Sequence, residues 1–78
     1  MTSIQLKLIT ANNPGCLEKI LSTSRGGGFE VSNFIAEFKP ERDHYEVKLR
    51  VQGEKSQDKL IMQLLKEEDV RSLVPCRR

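Results

Sequence analysis

Few side chains in this 78-residue chain are of types that do chemistry, and those few are dispersed. His44 is the one histidine, and Cys16 and Cys76 are the two cysteines; they form no CxxC pair, and His44 has no second imidazole at metal-ligand spacing. No catalytic residue and no metal site is expected from them. His44 falls in a polar turn and reads as a solvated side chain. Cys16 falls in the first turn of a helix, a setting that favours a thiolate, yet a small residue packing beside Leu17 is the simpler role. A Cys16–Cys76 disulfide is left open by the sequence and disfavoured in a reducing compartment.

The more suggestive cluster is Asn12-Asn13-Pro14-Gly15, set between an alternating strand and an amphipathic helix. Asn13 reads as a helix N-cap, and Pro14 as the first helical residue, where a missing N–H costs nothing. Asn12 and Gly15 are not explained by capping, because glycine is a poor helix former. Free N–H groups at a helix start, a glycine that admits a ligand to the backbone and a neighbouring amide together suit a small carboxylate. On spacing alone, a capped helix and a carboxylate site both remain open. The glycines of "RGGGF" follow a helix instead of preceding one, so they read as a helix stop and not as a phosphate loop.

The elements that must hold this cluster are legible from periodicity. In "SIQLKLIT", Ile4, Leu6 and Leu8 share one face, the pattern of a half-buried strand. Leu17, Ile20, Leu21 and Ser24 recur at helical spacing between Pro14 and Arg25, with Gly26 placed to close the helix in a left-handed conformation. "FEVSNFIAEF" changes phase between Val31 and Phe34, which a bulge near Ser32 and Asn33 reconciles. "KPERD" is a turn, and "HYEVKLRVQ" alternates with Tyr45, Val47, Leu49 and Val51 inward, completing a hairpin. Leu60, Ile61, Leu64 and Leu65 form the stripe of a second helix capped by Ser56, and "DVRSLVPC" is an edge strand stopped by Pro75. With right-handed crossovers, this βαββαβ order leads to an α+β, ferredoxin-like domain spanning residues 1–78. Its antiparallel sheet has the order 4-1-3-2 and carries both helices on one face.

Composition narrows the classes. A chain of this size buries only roughly 60% of its unfolded surface, so dimerisation would help it. Thirteen Lys and Arg oppose 11 Asp and Glu in mixed order, which indicates no partner by charge alone. No signal-peptide pattern and no apolar run of membrane-spanning length is present, so a cytoplasmic location without membrane contact is expected. RNA-recognition domains share the βαββαβ order but stack bases on exposed strand aromatics. Here the outward residues are Gln5, Lys7, Glu46, Lys48 and Arg50, so no nucleic-acid partner is expected.

Asn12, Pro14, Gly15 and Leu17, followed by Gly28, Phe29, Val31 and Phe34, resemble the opening of an ACT domain. "QLLKEEDVRSL", Gln63 to Leu73, is similar to the segment that ends the second helix of acetolactate synthase small subunits. Most such subunits continue into a second domain, so the resemblance implies the short, single-domain form that accompanies one bacterial isozyme. It further implies a subunit that is not itself catalytic and needs no cofactor. The large catalytic subunit, with thiamine diphosphate, Mg²⁺ and FAD, condenses pyruvate with a second 2-oxo acid; the small one raises its activity and in many isozymes confers valine feedback.

Such domains pair through the second strand and first helix into one continuous sheet, with an amino-acid effector at the seam. Carried onto this chain, Asn12 and Gly15, flanked by Asn13 and Cys16, hold the effector from one protomer, and Glu30 with Val31 approaches from the other. Valine-binding relatives have asparagine at the position of Glu30. A carboxylate there would repel the effector's own by up to a few kcal/mol, so valine feedback is expected to be weak or absent. The alternative implied by the resemblance is a stand-alone ACT domain that senses another amino acid.

Overall fold

The chain is described by a computed structural model covering residues 2–76. Its elements run β1 (Thr2–Ala11), α1 (Cys16–Gly26), β2 (Glu30–Lys39), β3 (His44–Gly53), α2 (Gln57–Leu65) and β4 (Val70–Pro75). The strands form one antiparallel sheet in the order β2-β3-β1-β4, the expected ferredoxin-like arrangement read from its other edge. The strongly alternating strands, β1 and β3, take the centre. There Ile4, Leu6, Leu8, Val47, Leu49 and Val51 lose essentially all contact with water. Ile20 of α1 and Leu60 and Leu64 of α2 close over them, with Phe29 at one end of the cluster.

The phase change in β2 is resolved by a register shift between Val31 and Asn33, which leaves Ser32 as the extra residue. Its hydroxyl donates to the Arg50 carbonyl at 3.2 Å. Val31, Phe34 and Ala36 thereby reach the same inner face. A second shift, between Ile9 and Thr10 against β4, was not signalled by any change of hydrophobic phase. Ser56 caps α2 as expected, accepting from the Lys59 N–H at 3.3 Å. β4 is an edge strand, as β2 is at the other side, and ends at Pro75, after which the Cys76 N–H still reaches the Gln5 carbonyl at 2.8 Å.

Several local expectations are corrected. Helix α1 starts at Cys16, not Pro14. Gly15 is its N-cap, with φ +77°, and no side chain caps it. Asn13 does not cap because it lies two residues before Gly15, and its side-chain amide donates instead to Asp69. Gly26 remains helical, and the left-handed residue is Gly28, with φ +89°, since the glycine run lets the chain turn later. Leu65 is 53% exposed, so the α2 stripe narrows to Leu60 and Leu64 with Ile61 at its margin. His44 is not a solvated turn residue: it opens β3 opposite Ala11, and its side chain is only 12% exposed. Both cysteines are free, and Cys16 is buried.

Candidate functional site

The segment between β1 and α1 is held down from both sides. Asn12 donates its amide to Asp43 Oδ1 at 3.1 Å, tying the segment to the β2–β3 turn, where Asp43 itself has φ +53°. Asn13 donates to Asp69 Oδ1 at 2.6 Å. The Asp69 main-chain carbonyl accepts from the Ala11 N–H at 2.7 Å and from the Thr10 hydroxyl at 3.0 Å. Lys19 of α1 places its ammonium 3.5 Å from Asp69 Oδ2. One buried aspartate in the α2–β4 connection thus sets the end of β1, the loop and the start of α1 relative to one another. The same connection reaches α1 again through Thr23, whose hydroxyl donates to Glu67 Oε1 at 3.1 Å.

Anchored in this way, the segment borders a surface hollow of about 440 Å³ lined by Asn12, Asn13, Gly15, Cys16, Leu17 and Tyr45, among others. Tyr45 is braced by Phe38, ring centroids 5.2 Å apart. The Cys16 N–H is used in a turn to the Asn13 carbonyl at 3.1 Å, and the first helical bond is from the Lys19 N–H to Gly15 at 3.0 Å. Among the described residues, the N–H groups of Leu17 and Glu18 find no backbone acceptor, as expected for a first helical turn. They carry the positive end of the helix dipole into the hollow, the setting that attracts a carboxylate. The Glu18 side chain lines the same hollow, so an incoming anion competes with a charge already present.

Gly15 is required here for conformation and not for space. A Cβ at this position would meet nothing within 4 Å, but φ is +77°. Gly15→Ala should therefore lose about 1–2 kcal/mol, the cost of a left-handed backbone with a side chain. Thermal denaturation would read this as a lower midpoint with the fold unchanged.

Of the residues expected to form a site, the structure brings together Asn12, Asn13, Gly15 and Cys16. Glu30 and Val31 lie elsewhere. Glu30 pairs with Gln52, near the opposite end of β3 from His44 and the Asn12 loop, a separation of roughly 26 Å along the strand. It lines a separate hollow of about 260 Å³ with Gly28, Gln52 and Lys55. A single chain therefore presents the two halves at opposite ends. The sequence reading missed Asp69, Asp43 and Tyr45. Asp69 ends an acidic run with Glu67 and Glu68, and nothing in the run distinguishes the one that is buried.

Residues 12–73 match the family model of the ACT domain. The chain belongs to the ACT domain family. An ACT domain is a regulatory, non-catalytic module, and the βαββαβ fold with its antiparallel sheet is that of the family. Several solved structures align over nearly all of the chain. The acetolactate synthase small subunit from Thermotoga maritima has 17% identity and a TM-score of 0.83, with 96% of this chain and 47% of that chain covered. A homoserine dehydrogenase from Thiobacillus denitrificans has 17% identity and a TM-score of 0.75, with 95% and 16% covered. The ACT domain of GTP pyrophosphokinase from Chlorobium tepidum has 14% identity and a TM-score of 0.73, with 95% and 96% covered.

At these identities the likeness is one of fold. This ACT domain spans about half the length of the Thermotoga maritima subunit. No curated protein matches it by sequence. Among the described residues, no helix is long and apolar enough to cross a membrane, and no group of His, Cys, Asp and Glu is arranged to hold a metal ion.

Proposed function

We propose that this ACT domain is a non-catalytic regulatory small subunit of acetolactate synthase, acting on a large catalytic subunit that carries thiamine diphosphate, Mg²⁺ and FAD in the cytoplasm. The observation that carries the reading is the segment Gln63–Leu73. It is the stretch that resembles this subunit most specifically, and its Asp69 anchors the loop that lines the candidate effector hollow. The likeness in fold to the Thermotoga maritima small subunit supports it.

Pairing of two copies supplies the missing half of the site. β2 is an edge strand with one side unpaired. If two copies join β2 to β2 antiparallel about a twofold axis, the Glu30 end of one strand lies beside the Lys39 end of the other. Lys39 pairs with His44, and His44 with Ala11, just before the Asn12 loop. The partner's Glu30 and Val31 thus reach the Asn12–Cys16 hollow. An amino-acid effector there would set its carboxylate on the N–H groups of Leu17 and Glu18, with Asn12 beside it. The partner's Glu30 faces that carboxylate and repels it, so valine is held weakly. Glu30→Asn should raise valine affinity by tenfold or more, measured by isothermal titration calorimetry. Micromolar valine binding by the unaltered chain, abolished by Gly15→Asp, would contradict this account of Glu30.

The reading is tested by acetolactate formation with a purified large subunit, titrated with this chain with and without valine. A saturable rise in rate, little affected by valine, is the expected result. Absence of any rise with every large subunit of the source organism would leave the second reading, a free-standing ACT domain for another amino acid. That reading draws on the comparable likeness in fold to a homoserine dehydrogenase and to the ACT domain of a GTP pyrophosphokinase.

A further inference from the structure

The sheet face not covered by helices carries charges in an arrangement that the isolated chain does not balance. One row crosses all the strands: Ile35 on β2, Lys48 on β3, Lys7 on β1 and Val74 on β4 lie directly opposite one another in turn. Ile35 and Val74 are 51% and 50% exposed, and both lysines face solvent. Like charges directly opposite across two strands are destabilising. The next row repeats the pattern with the opposite sign, Glu37 facing Glu46.

The two rows differ in one respect. Glu37 has the Lys39 ammonium 3.2 Å away, and Glu46 has His44 Nε2 at 4.0 Å. The hydrogen bond from Lys39 to Glu37, and the charge of Glu37, raise the Lys39 pKa above the ordinary lysine range. Among the described residues, Lys7, Lys48 and the adjacent Arg50 have no carboxylate within ion-pair distance. The face therefore presents an uncompensated basic centre between two exposed aliphatic ends. Its complement is a protein surface with carboxylates flanked by apolar side chains. The row fits nucleic acid poorly, since Glu37 and Glu46 would repel a phosphate backbone and the row itself carries no aromatic.

We infer that this open face docks on the catalytic subunit, through an acidic strip of that subunit seated over Lys7 and Lys48 with apolar side chains against Ile35 and Val74. The inference rests on the regulatory-subunit reading above. Docking supplies the carboxylates that the row lacks and removes Ile35 and Val74 from water.

The test is titration of the purified catalytic subunit with wild-type chain, Lys48→Glu and, as a control outside the face, Lys59→Glu on α2. Lys48→Glu is expected to raise the half-saturating concentration tenfold or more and to leave the saturated rate unchanged, with Lys59→Glu indistinguishable from wild type. The thermal midpoint of isolated Lys48→Glu should stay level or rise, because the new carboxylate lies opposite Lys7. A merely structural role for Lys48 would instead lower it. Activation by wild type with no change in half-saturation for Lys48→Glu overturns the inference and leaves the regulatory-subunit reading intact. If Lys48→Glu alters only self-association in sedimentation equilibrium, or only RNA retention in a mobility shift, the face belongs to a second copy or to RNA and the inference is likewise wrong. Failure of wild type to activate removes the reading, and the inference with it.

Discussion

Leu49→Ala is expected to cost about 3–5 kcal/mol, the range for a fully buried leucine whose cavity cannot collapse. Leu49 has no exposure to water and lies on a central strand between Leu6 and Phe34, so rigid neighbours surround the space it fills. A chain of 78 residues has on the order of 4–12 kcal/mol in total, so the loss approaches the whole margin of a weakly stable domain. Urea denaturation should show a midpoint reduced by about a quarter or more, or no cooperative transition. Ile35→Ala is the comparison: Ile35 is 51% exposed on the far face of the same sheet and should change stability little. Equal effects from the two substitutions would show that the core is not where the structure puts it.

The other large effect is expected at Asp69. Asp69→Ala removes the acceptor of the Asn13 amide and the carboxylate facing Lys19, but leaves the main-chain carbonyl that holds Ala11 and Thr10. The strand end should therefore survive while the loop is released. Losing a partly buried hydrogen bond with a charged acceptor costs about 1–3 kcal/mol; most of this is assigned to Asn13, because Lys19 is half exposed and its pairing is screened. Amide exchange at the bonded N–H groups of Cys16 and Lys19 should quicken roughly 10- to 100-fold, the equivalent of that free energy in local opening. Asp69→Asn keeps one acceptor oxygen and should recover most of the protection. If both variants left exchange at the loop unchanged, Asp69 would not be what holds it.

Asp69 also shows where sequence reading stops. The loop it anchors was visible, because Asn12, Asn13 and Gly15 interrupt two strong periodicities. Its anchor was not, because Asp69 lies 56 residues from Asn13 and stands in a run of acids that look alike in one dimension. The capping role expected of Asn13 was locally sound. It was lost because the helix begins later, at Cys16 with Gly15 as its cap, which leaves Asn13 outside the helix with its amide donating to the Asp69 carboxylate. Gly15, which seemed anomalous as a helix former, is the cap itself, chosen for its φ of +77°. His44 read as solvated because its neighbours are polar, yet β-pairing at Ala11 draws it in.

By itself, the sequence determined the element order, the inward faces of β1 and β3, the bulge at Ser32, the cap at Ser56 and the strand order. Each is dictated by short-range rules: alternation, helical spacing, capping chemistry and the handedness of crossovers. The tertiary structure alone decided which acid is buried beneath the loop, that Lys7 faces Lys48, and that Glu30 lies at the far end of the sheet from Asn12. Those facts depend on register between segments distant in the chain. Register emerges only when whole strands pair and one face is buried, since a shift of a single residue would turn every side chain to the other side.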